Sequence, residues 1–363
     1  MIIYGSPFRY YQGFGILARA GELLNPLGSK FFIIGEAFVK DLVGSTILES
    51  FTAAGKEALW DADFSGECTD GEIRRLQRVY ETSGCNAILG IGGGKTMDAA
   101  KAVSILVNAP VGIIPTIAAS DAPVSHVAII YTEAHERLRV DAMPFSPWVV
   151  MVDTEVVLHA PPRFLASGIA DAVATKFESD ACRASGALNY FGSRPPLISK
   201  AVSDMCWDVM RRHGSAALDA VRTKTPCQAL EDVVEAATLL SGLGFESGGC
   251  AAAHGTMSAL TSLPGSVRFT HGELVAFGTV VQLCMENKPD PFILEVIDFL
   301  RSLGLPVTLE GVGLDRDKDR EAIESCIRKA CTPPGLLFNM PMPINEAMYR
   351  EALYRADDLG CRR

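Results

Sequence analysis

The fold of this chain is decided by the stretch AILGIGGGKTMDAAK, residues 87–101. An apolar run over residues 87–91 ends at three consecutive glycines, and the apolar residues of 95–106 then recur with helical spacing. The stretch predicts a strand, a glycine-rich turn and a helix. Glycines let backbone N–H groups approach a ligand closely, and a helix N-terminus favours anions. The turn therefore predicts a pyrophosphate site.

Two established phosphate-binding patterns compete for this turn, and neither of them fits. A Walker loop ending in Gly94-Lys95-Thr96 requires glycine at the position of Leu89. A GxGxxG fingerprint that begins at Gly90 requires glycine at the position of Lys95. From this stretch alone, a tight turn without a ligand stays open as the alternative.

Composition restricts the class of protein and of partner. A chain of 363 residues with 48% hydrophobic and 21% charged residues is long enough for about two globular domains. A net charge of −10 leaves no excess of Lys and Arg for nucleic acid or an anionic membrane, so small-molecule partners are expected. The sequence shows no signal peptide and no transmembrane run, which predicts a cytoplasmic protein. Its ten cysteines form no CxxC pair, which predicts reduced thiols.

Strand and helix patterns alternate up to about residue 160. The predicted strands are Ile2–Tyr4, Phe31–Ile34, Ala58–Trp60, Ala87–Ile91, Val111–Ile114, Ala128–Tyr131 and Val149–Val152, with helices such as Gly15–Leu24, Thr46–Ala54 and Gly71–Ser83 between them. Such alternation predicts a mostly parallel sheet covered on both faces, whose ligands gather at the carboxyl ends of the strands. From Pro162 onward only helical periodicity is present. We predict an α/β domain over residues 1–160 and an all-α domain over 161–363, with the active site in a cleft between them.

Three polar residues stand among small and apolar neighbours in the helical half. His254 lies in GGCAAAHG, His271 in FTHGE and Asp171 in GIADA. Two histidines and one carboxylate suffice for an open catalytic zinc site. A core histidine and a carboxylate at a helix N-terminus explain the same residues without a metal. Spacing along the chain does not separate these interpretations.

Seven motifs spread over nearly the whole chain carry a family resemblance. They are SPFRYYQG, GIGGGKTMDAAKA, IPTIAASDAPVS, VDTEVV, APPRFLASGIADA, ESGGCAAAHG and THGELVAFGTVVQL. Together they resemble the glycerol dehydrogenase family, the zinc-dependent branch of the iron-containing alcohol dehydrogenase superfamily. The resemblance implies a Rossmann-like domain that binds NAD, an α-helical domain, and zinc or another divalent metal held by Asp171, His254 and His271.

The resemblance also implies roles for single residues of the first domain. Gly92, Gly93, Gly94, Lys95 and Asp98 lie on the implied pyrophosphate loop, Thr116 and Ser120 on the adenine and ribose side, and Ser125, Val127 and Tyr131 on the nicotinamide side. Asp121 matches the aspartate that contacts substrate. Glu36 stands where the family commonly has Asp, and a carboxylate there accepts a hydrogen bond from a ribose hydroxyl and repels a 2′-phosphate.

The implied function is NAD-dependent oxidation of glycerol, or a related vicinal diol, to dihydroxyacetone by a homo-oligomer. Asp121, His126 and a hydroxide on the metal are the candidate proton acceptors. Two departures from related enzymes stand out: Thr175 replaces a further histidine of the iron-dependent members, and His126 replaces a small residue near the substrate aspartate.

Four alternatives remain open at this stage. One is a dehydrogenase of another polyol or of a 2-hydroxy compound, and another is a silent NAD-binding protein. A dehydroquinate synthase or a glycerol-1-phosphate dehydrogenase would need basic residues for a substrate phosphate. Around the metal motifs the sequence offers only Arg163, Arg183 and Arg268.

Overall fold

The computed structural model describes residues 1–362, and Arg363, the last residue of the predicted helical domain, lies outside the described residues. The chain divides into two compact units. The first contains residues 5–160 and 223–226, and the second contains residues 1–4, 161–222 and the chain from Cys227 onward. All strands found in residues 1–362 lie in the first unit, so we call the two the sheet unit and the helical unit.

The sheet unit is built on a parallel sheet. Its strands are β1 (Arg9–Gly13), β2 (Lys30–Ile34), β3 (Glu57–Asp61), β4 (Ala87–Gly92), β5 (Val111–Pro115), β6 (Val127–Tyr131), β7 (Arg137–Ala142) and β8 (Val149–Asp153). A six-stranded sheet has the order β1-β8-β5-β4-β2-β3, and every neighbouring pair in it is parallel. The apolar strands β4, β5 and β8 are buried along their whole length, as central strands covered on both faces must be.

Helices connect these strands. They are α1 (Ala20–Leu23), α2 (Ala37–Ala53), α3 (Asp70–Ser83), α4 (Gly94–Val107) and α5 (Thr154–His159). Local sequence sets both ends of α3, because the Thr69 side chain accepts a hydrogen bond from the backbone N–H of Glu72 and Gly84 takes the left-handed conformation. The buried face of α2 packs on the sheet through Val39, Val43, Ile47 and Phe51.

The strand order changes direction between β2 and β4. From β2 the chain continues outward to β3, whereas from β4 it continues the other way to β5 and later to β8. The two strands pair directly, with Ile34 opposite Gly90, so their carboxyl ends lie side by side. Ligands of doubly wound sheets bind outside the carboxyl ends of the strands at such a switch point. The turn after β4 and the segment after β2, which contains Glu36, therefore occupy the expected ligand position.

The helical unit consists of helices and short turns. Its helices are α6 (Pro162–Ser185), α7 (Leu197–Thr223), α8 (Gln228–Glu235), α9 (Ser241–Gly248), α10 (Ala252–Leu260), α11 (His271–Met285), α12 (Asp290–Ser302), α13 (Arg320–Ala330) and α14 (Glu346–Gly360). A π-helical segment, Ala236–Leu240, joins α8 to α9. Two glycines of α11 allow close helix packing: a Cβ on Gly272 would lie 1.9 Å from the carbonyl oxygen of Ser167, and one on Gly278 would lie 2.3 Å from that of Ala253.

The predicted fold class is confirmed, with three corrections to the predicted strands and helices. Ile2–Tyr4 is not a strand, and the first strand is Arg9–Gly13 instead. The predicted strand Ala128–Tyr131 exists as part of β6, but it pairs antiparallel with β7 in a separate two-stranded sheet. The predicted helix Thr46–Ala54 is the second half of α2, which begins nine residues earlier at Ala37. Within residues 1–362, no helix is both long and apolar enough to span a bilayer.

Candidate functional site

Three helices of the helical unit bring the predicted metal ligands together. Asp171 lies in the first half of α6, His254 in the first turn of α10, and His271 is the first residue of α11. The side chain of Thr270 caps α11 in a reciprocal capping box with Glu273, which fixes where the helix begins and so where His271 points. The close contact at Gly272 places the start of α11 directly against α6.

The three side chains converge with one ligand atom each. Asp171 Oδ1 lies 3.1 Å from His271 Nε2 and 3.2 Å from His254 Nε2, and the two Nε2 atoms are 3.2 Å apart. Asp171 is fully buried, whereas the His271 side chain is 40% exposed. Two imidazole nitrogens and one carboxylate oxygen, open on one side, match the donor set of a catalytic zinc site with a free position for water or substrate.

A buried carboxylate that the sequence analysis missed orients His254. Glu178 Oε2 lies 2.6 Å from His254 Nδ1, and Glu178 Oε1 accepts hydrogen bonds of 2.8 Å from the backbone N–H groups of Ala251 and His254. With Nδ1–H donating to Glu178, the lone pair of Nε2 points toward Asp171 and His271. Carboxylates commonly hold metal-bound histidines in this way, which fixes the tautomer and raises the basicity of the ligand. The arrangement fits a metal centre.

Charge leads to the same conclusion. Burial alone would raise the pKa of Asp171, but the facing His271 and His254 imidazoles outweigh burial and hold it well below its usual range. Burial works against a charged His254, yet Glu178, Cys250 and Asp171 together raise its pKa well above the usual value. Two fully buried carboxylates thus favour positive charge at this point, and a divalent cation between the three ligand atoms would supply it.

A second group of candidate ligands shares His254. Glu178, Cys250 and His254 also bring their ligand atoms within 4.8 Å of one another. Both oxygens of Glu178 are already hydrogen-bonded within the protein. Burial raises the pKa of the Cys250 thiol, which disfavours the thiolate that a metal requires. The set of Asp171, His254 and His271 is therefore the better metal centre.

In the sheet unit, the turn after β4 is shaped to receive an anion. Gly92 has a φ of 153°, and a Cβ there would lie 2.7 Å from Thr96 Oγ1 and 3.1 Å from Glu36 Oε2. Gly93 precedes α4 without any side-chain cap, and a Cβ on Gly94 would meet no atom within 4 Å. The first N–H groups of α4 therefore face a position with room for a phosphate.

Several predicted cofactor residues surround this turn. Glu36 lies two residues after the end of β2, and its Oε2 accepts a hydrogen bond of 3.0 Å from Thr96 Oγ1. The backbone N–H of Thr116 donates to the carbonyl of Gly92 at 3.1 Å, which ties the end of β5 to the turn. Lys95 pairs with Glu67, and its ammonium lies 5.6 Å from the ring centroid of Tyr131. Glu36, the glycines, Lys95, Thr116 and Tyr131 thus cluster at the switch point.

The other predicted residues lie in a different environment. Asp98, on α4, is 6% exposed, and burial raises its pKa to about 6 against the opposing effects of Lys101 and the backbone N–H of Ile129. Ser125 and Val127 are buried too, and both bond to the ammonium of Lys101. A last group comprises Ser120, which is half-buried, and Asp121 and His126, which are 8% and 4% exposed.

Comparison with known proteins decides the family. Residues 7–154 match the family described as iron-containing alcohol dehydrogenase. Glycerol dehydrogenase from Escherichia coli O6:H1 strain CFT073 is 42% identical over 357 residues, which cover 98% of this chain and 97% of that relative. The chain belongs to the iron-containing alcohol dehydrogenase family. The resemblance drawn from the seven motifs is thereby confirmed.

Other members are similar over the same length. Glycolaldehyde reductase from Halobacterium salinarum strain ATCC 700922 is 39% identical, and the similarity covers 99% of this chain and 98% of that relative. The crystal structure of glycerol dehydrogenase from Schizosaccharomyces pombe superimposes with a TM-score of 0.95 at 31% identity, covering 99% of this chain and 91% of that chain. The chain is therefore an oxidoreductase of this family, and its similarity to glycerol dehydrogenases extends over nearly all the residues given.

Thr175 explains why this member of the iron-containing alcohol dehydrogenase family offers three candidate ligands. Thr175 stands one turn after Asp171, where iron-dependent members carry a further histidine. Here Thr175 Oγ1 lies 2.8 Å from Ser241 Oγ, and a Cβ added to Gly244 would lie 2.6 Å from Thr175 Cγ2. The Thr175 methyl group therefore packs closely against α9. Because threonine has no imidazole and the Thr175 hydroxyl is bonded to Ser241, this position supplies no fourth histidine ligand.

Proposed function

We propose that this chain oxidises glycerol, or a related vicinal diol, to dihydroxyacetone with NAD⁺ as hydride acceptor, using zinc or another divalent metal held by Asp171, His254 and His271. The observation that carries the proposal is the convergence of these three side chains, with His271 partly exposed, in a chain 42% identical to a glycerol dehydrogenase over nearly its whole length. The neighbouring carboxylate Glu178 supports a metal at this point rather than a purely structural cluster.

Each group has a separate part in the proposed reaction. A bound divalent metal would lower the pKa of an alcohol hydroxyl and stabilise the negative charge on its oxygen while hydride leaves the carbinol carbon. Asp171, His254 and His271 hold their donor atoms toward one point, while Glu178 keeps the Nε2 lone pair of His254 available. In the sheet unit the uncapped N-terminus of α4 and Glu36 would bind the pyrophosphate and a ribose of NAD.

Phosphorylated substrates fit the helical unit poorly. Arg163 is paired with Glu273, with both contacts at 2.6 Å. Arg183 donates to the carbonyl of Pro196, and Arg268 stacks on the ring of Phe269 at 4.9 Å. Because these arginines already have partners, we favour an uncharged polyol over the phosphorylated substrates of a dehydroquinate synthase or a glycerol-1-phosphate dehydrogenase.

A second candidate function is reduction of a 2-hydroxy aldehyde. It is favoured by the 39% identity to the glycolaldehyde reductase of Halobacterium salinarum. Reduction of glycolaldehyde yields ethane-1,2-diol, which is itself a vicinal diol, so the same residues serve either direction.

The proposal also includes a cytoplasmic location and a homo-oligomeric state. The free state of all ten cysteines supports a reducing compartment, and exposed apolar residues such as Leu197 and Met205 support self-association.

Substrate preference tests the proposed function directly. NAD⁺ reduction should be faster with glycerol, propane-1,2-diol or ethane-1,2-diol than with propane-1,3-diol or propan-2-ol. Chelation followed by dialysis should remove the activity, and added Zn²⁺ should restore it, because the proposed reaction depends on the metal that the three ligands hold. NADH oxidation with glycolaldehyde, measured in parallel, weighs the second candidate. If the protein bound NAD⁺ but reduced it with none of these alcohols, the silent NAD-binding alternative would be favoured.

Cofactor choice depends on Glu36. We expect NAD to be used at least about tenfold better than NADP, because a 2′-phosphate would meet the Glu36 carboxylate. Glu36→Gln should reduce this preference by improving kcat/KM with NADP, whereas Glu49→Gln, at an exposed position of α2, should leave it unchanged. Equal efficiency of the wild-type protein with both cofactors would remove Glu36 from the ribose site.

Substrate recognition depends on Asp121. Asp121→Asn should reduce kcat/KM for glycerol more than for propan-2-ol, by about 1–3 kcal/mol, because only glycerol offers a second hydroxyl to the carboxylate. NAD affinity and Tm should hardly change. An equal loss for both alcohols together with a lower Tm would indicate that Asp121 only closes its own turn.

A further inference from the structure

Lys101 is a completely buried lysine that the proposed function does not use. It lies on α4, its relative exposure is 0%, and lysine is almost never fully buried unless it is paired. Its ammonium donates to the carbonyl oxygens of Ala122 at 2.6 Å and Val127 at 3.0 Å, and to Ser125 Oγ at 3.2 Å. An ammonium has three N–H donors, and three oxygens of this segment lie within hydrogen-bond distance of it.

The three acceptors belong to one short segment. Ala122 begins the 3₁₀ turn Ala122–Val124, which follows Asp121 directly. Ser125 ends that turn, and Val127 begins β6. One turn before Lys101 on α4, the Asp98 carboxylate accepts a hydrogen bond from the backbone N–H of Ile129. Asp98 Oδ1 also lies 3.8 Å from the Lys101 ammonium. Two side chains of α4 therefore hold residues 122–129 at both ends.

This attachment matters because β6 is not part of the main sheet. It pairs with β7 in a two-stranded sheet, and its last residue, Tyr131, also forms an isolated parallel bridge with Thr69. At the far end of β6, the backbone N–H of Tyr131 donates to the carbonyl of Cys68 in the loop before α3. Lys101 and Asp98 therefore supply hydrogen bonds that tie the segment to α4, which carries the glycine turn at its start, in addition to the packing of β6 on that helix.

We propose that Lys101 is a positioning residue for substrate recognition: by binding the carbonyls of Ala122 and Val127, it holds the turn that fixes the direction of Asp121. The inference rests on the proposed function in one respect, namely that Asp121 contacts the polyol. In this proposed role, Lys101 acts on the protein backbone and not directly on substrate or cofactor. Its action is transmitted through the backbone of the segment, and through Ser125 it also fixes a residue predicted to line the nicotinamide side.

The test combines a selectivity measurement with a double-mutant cycle. Lys101→Met keeps the apolar stem and removes all three donors. We expect the ratio of kcat/KM for glycerol to that for propan-2-ol to fall by about tenfold, as for loss of one oriented hydrogen bond. In an Asp121→Asn background, Lys101→Met should leave this ratio unchanged, since both substitutions remove the same interaction. Lys40→Met, at an exposed position of α2, is the matched control.

Hydrogen exchange supplies a second measurement that does not depend on activity. In Lys101→Met without cofactor, the amides of residues 122–131 should exchange faster than in the wild-type protein, while those of β2 should be unchanged. An unchanged ratio, independent effects of the two substitutions on it, or unchanged exchange would overturn the inference. If Lys101→Met does not fold, Lys101→Arg replaces it, because a planar guanidinium cannot meet all three acceptors. A wild-type ratio in that variant also overturns the inference.

Failure of the proposed function would look different. A wild-type protein that oxidises no diol overturns the proposed function, and the exchange of residues 122–131 still decides whether Lys101 holds the segment. A wild-type protein that oxidises glycerol, with Lys101→Met at the wild-type ratio, overturns only the role of Lys101.

Discussion

Replacing any one of Asp171, His254 and His271 by alanine is expected to abolish glycerol-dependent reduction of NAD⁺. The three ligand atoms lie within 3.2 Å of one another, so removal of one leaves only two donors for the metal. Two protein ligands hold zinc far more weakly than three, and the alcohol would lose its orientation as well. Turnover and bound metal, measured on the same dialysed samples, should fall together.

His213→Ala is the matched control for the histidine substitutions. His213 lies on α7 of the same unit and is half-buried, but it is not among the candidate ligands. It should keep both metal and activity. If a variant of Asp171, His254 or His271 retained near-normal turnover after chelation, the assignment of that ligand would be wrong, and the two carboxylates would need another source of positive charge.

The parts of the fold that the sequence predicted are those where burial imposes a pattern. β4, β5 and β8 are buried along their whole length, and a strand covered on both faces must be a continuous apolar run. The edge strand β1, Arg9–Gly13, has no such run, because only part of its surface is buried. The exposed strand β7 was missed for the same reason. Ile2–Tyr4 is apolar enough for a strand but pairs with none in the described residues.

The candidate metal centre could not be predicted from spacing, because its residues meet only through tertiary packing. Asp171, His254 and His271 are far apart along the chain, and only the family resemblance connected them. Glu178 gave one local signal: it follows Asp171 by two turns on α6, so both carboxylates share a helix face. Its partners on α10 have no sequence relation to it. Lys101 gave no signal, since one lysine on an apolar helix does not reveal its acceptors.

Substituting Glu178 by glutamine should weaken metal binding by about 10–100-fold, the usual effect of losing an outer partner of a metal-bound histidine. The substitution is nearly isosteric, and the amide oxygen can still accept from the backbone N–H groups of Ala251 and His254. The amide nitrogen would then face His254 Nδ1, which accepts from it only if the proton moves to Nε2. That tautomer turns an N–H toward Asp171 and His271 and removes the lone pair that the metal needs.

Competition with a chromophoric chelator measures this loss of affinity without any assay of turnover. Asp180→Asn changes the charge of the same helix at a position whose side chain is 41% exposed, so it should bind metal like the wild-type protein. Saturating Zn²⁺ should restore much of the turnover of Glu178→Gln, because its three ligands are intact, whereas alanine at Asp171 should not be rescued. Wild-type metal affinity in Glu178→Gln would show that Glu178 does not set the tautomer of His254, and that its carboxylate serves only the backbone at the start of α10.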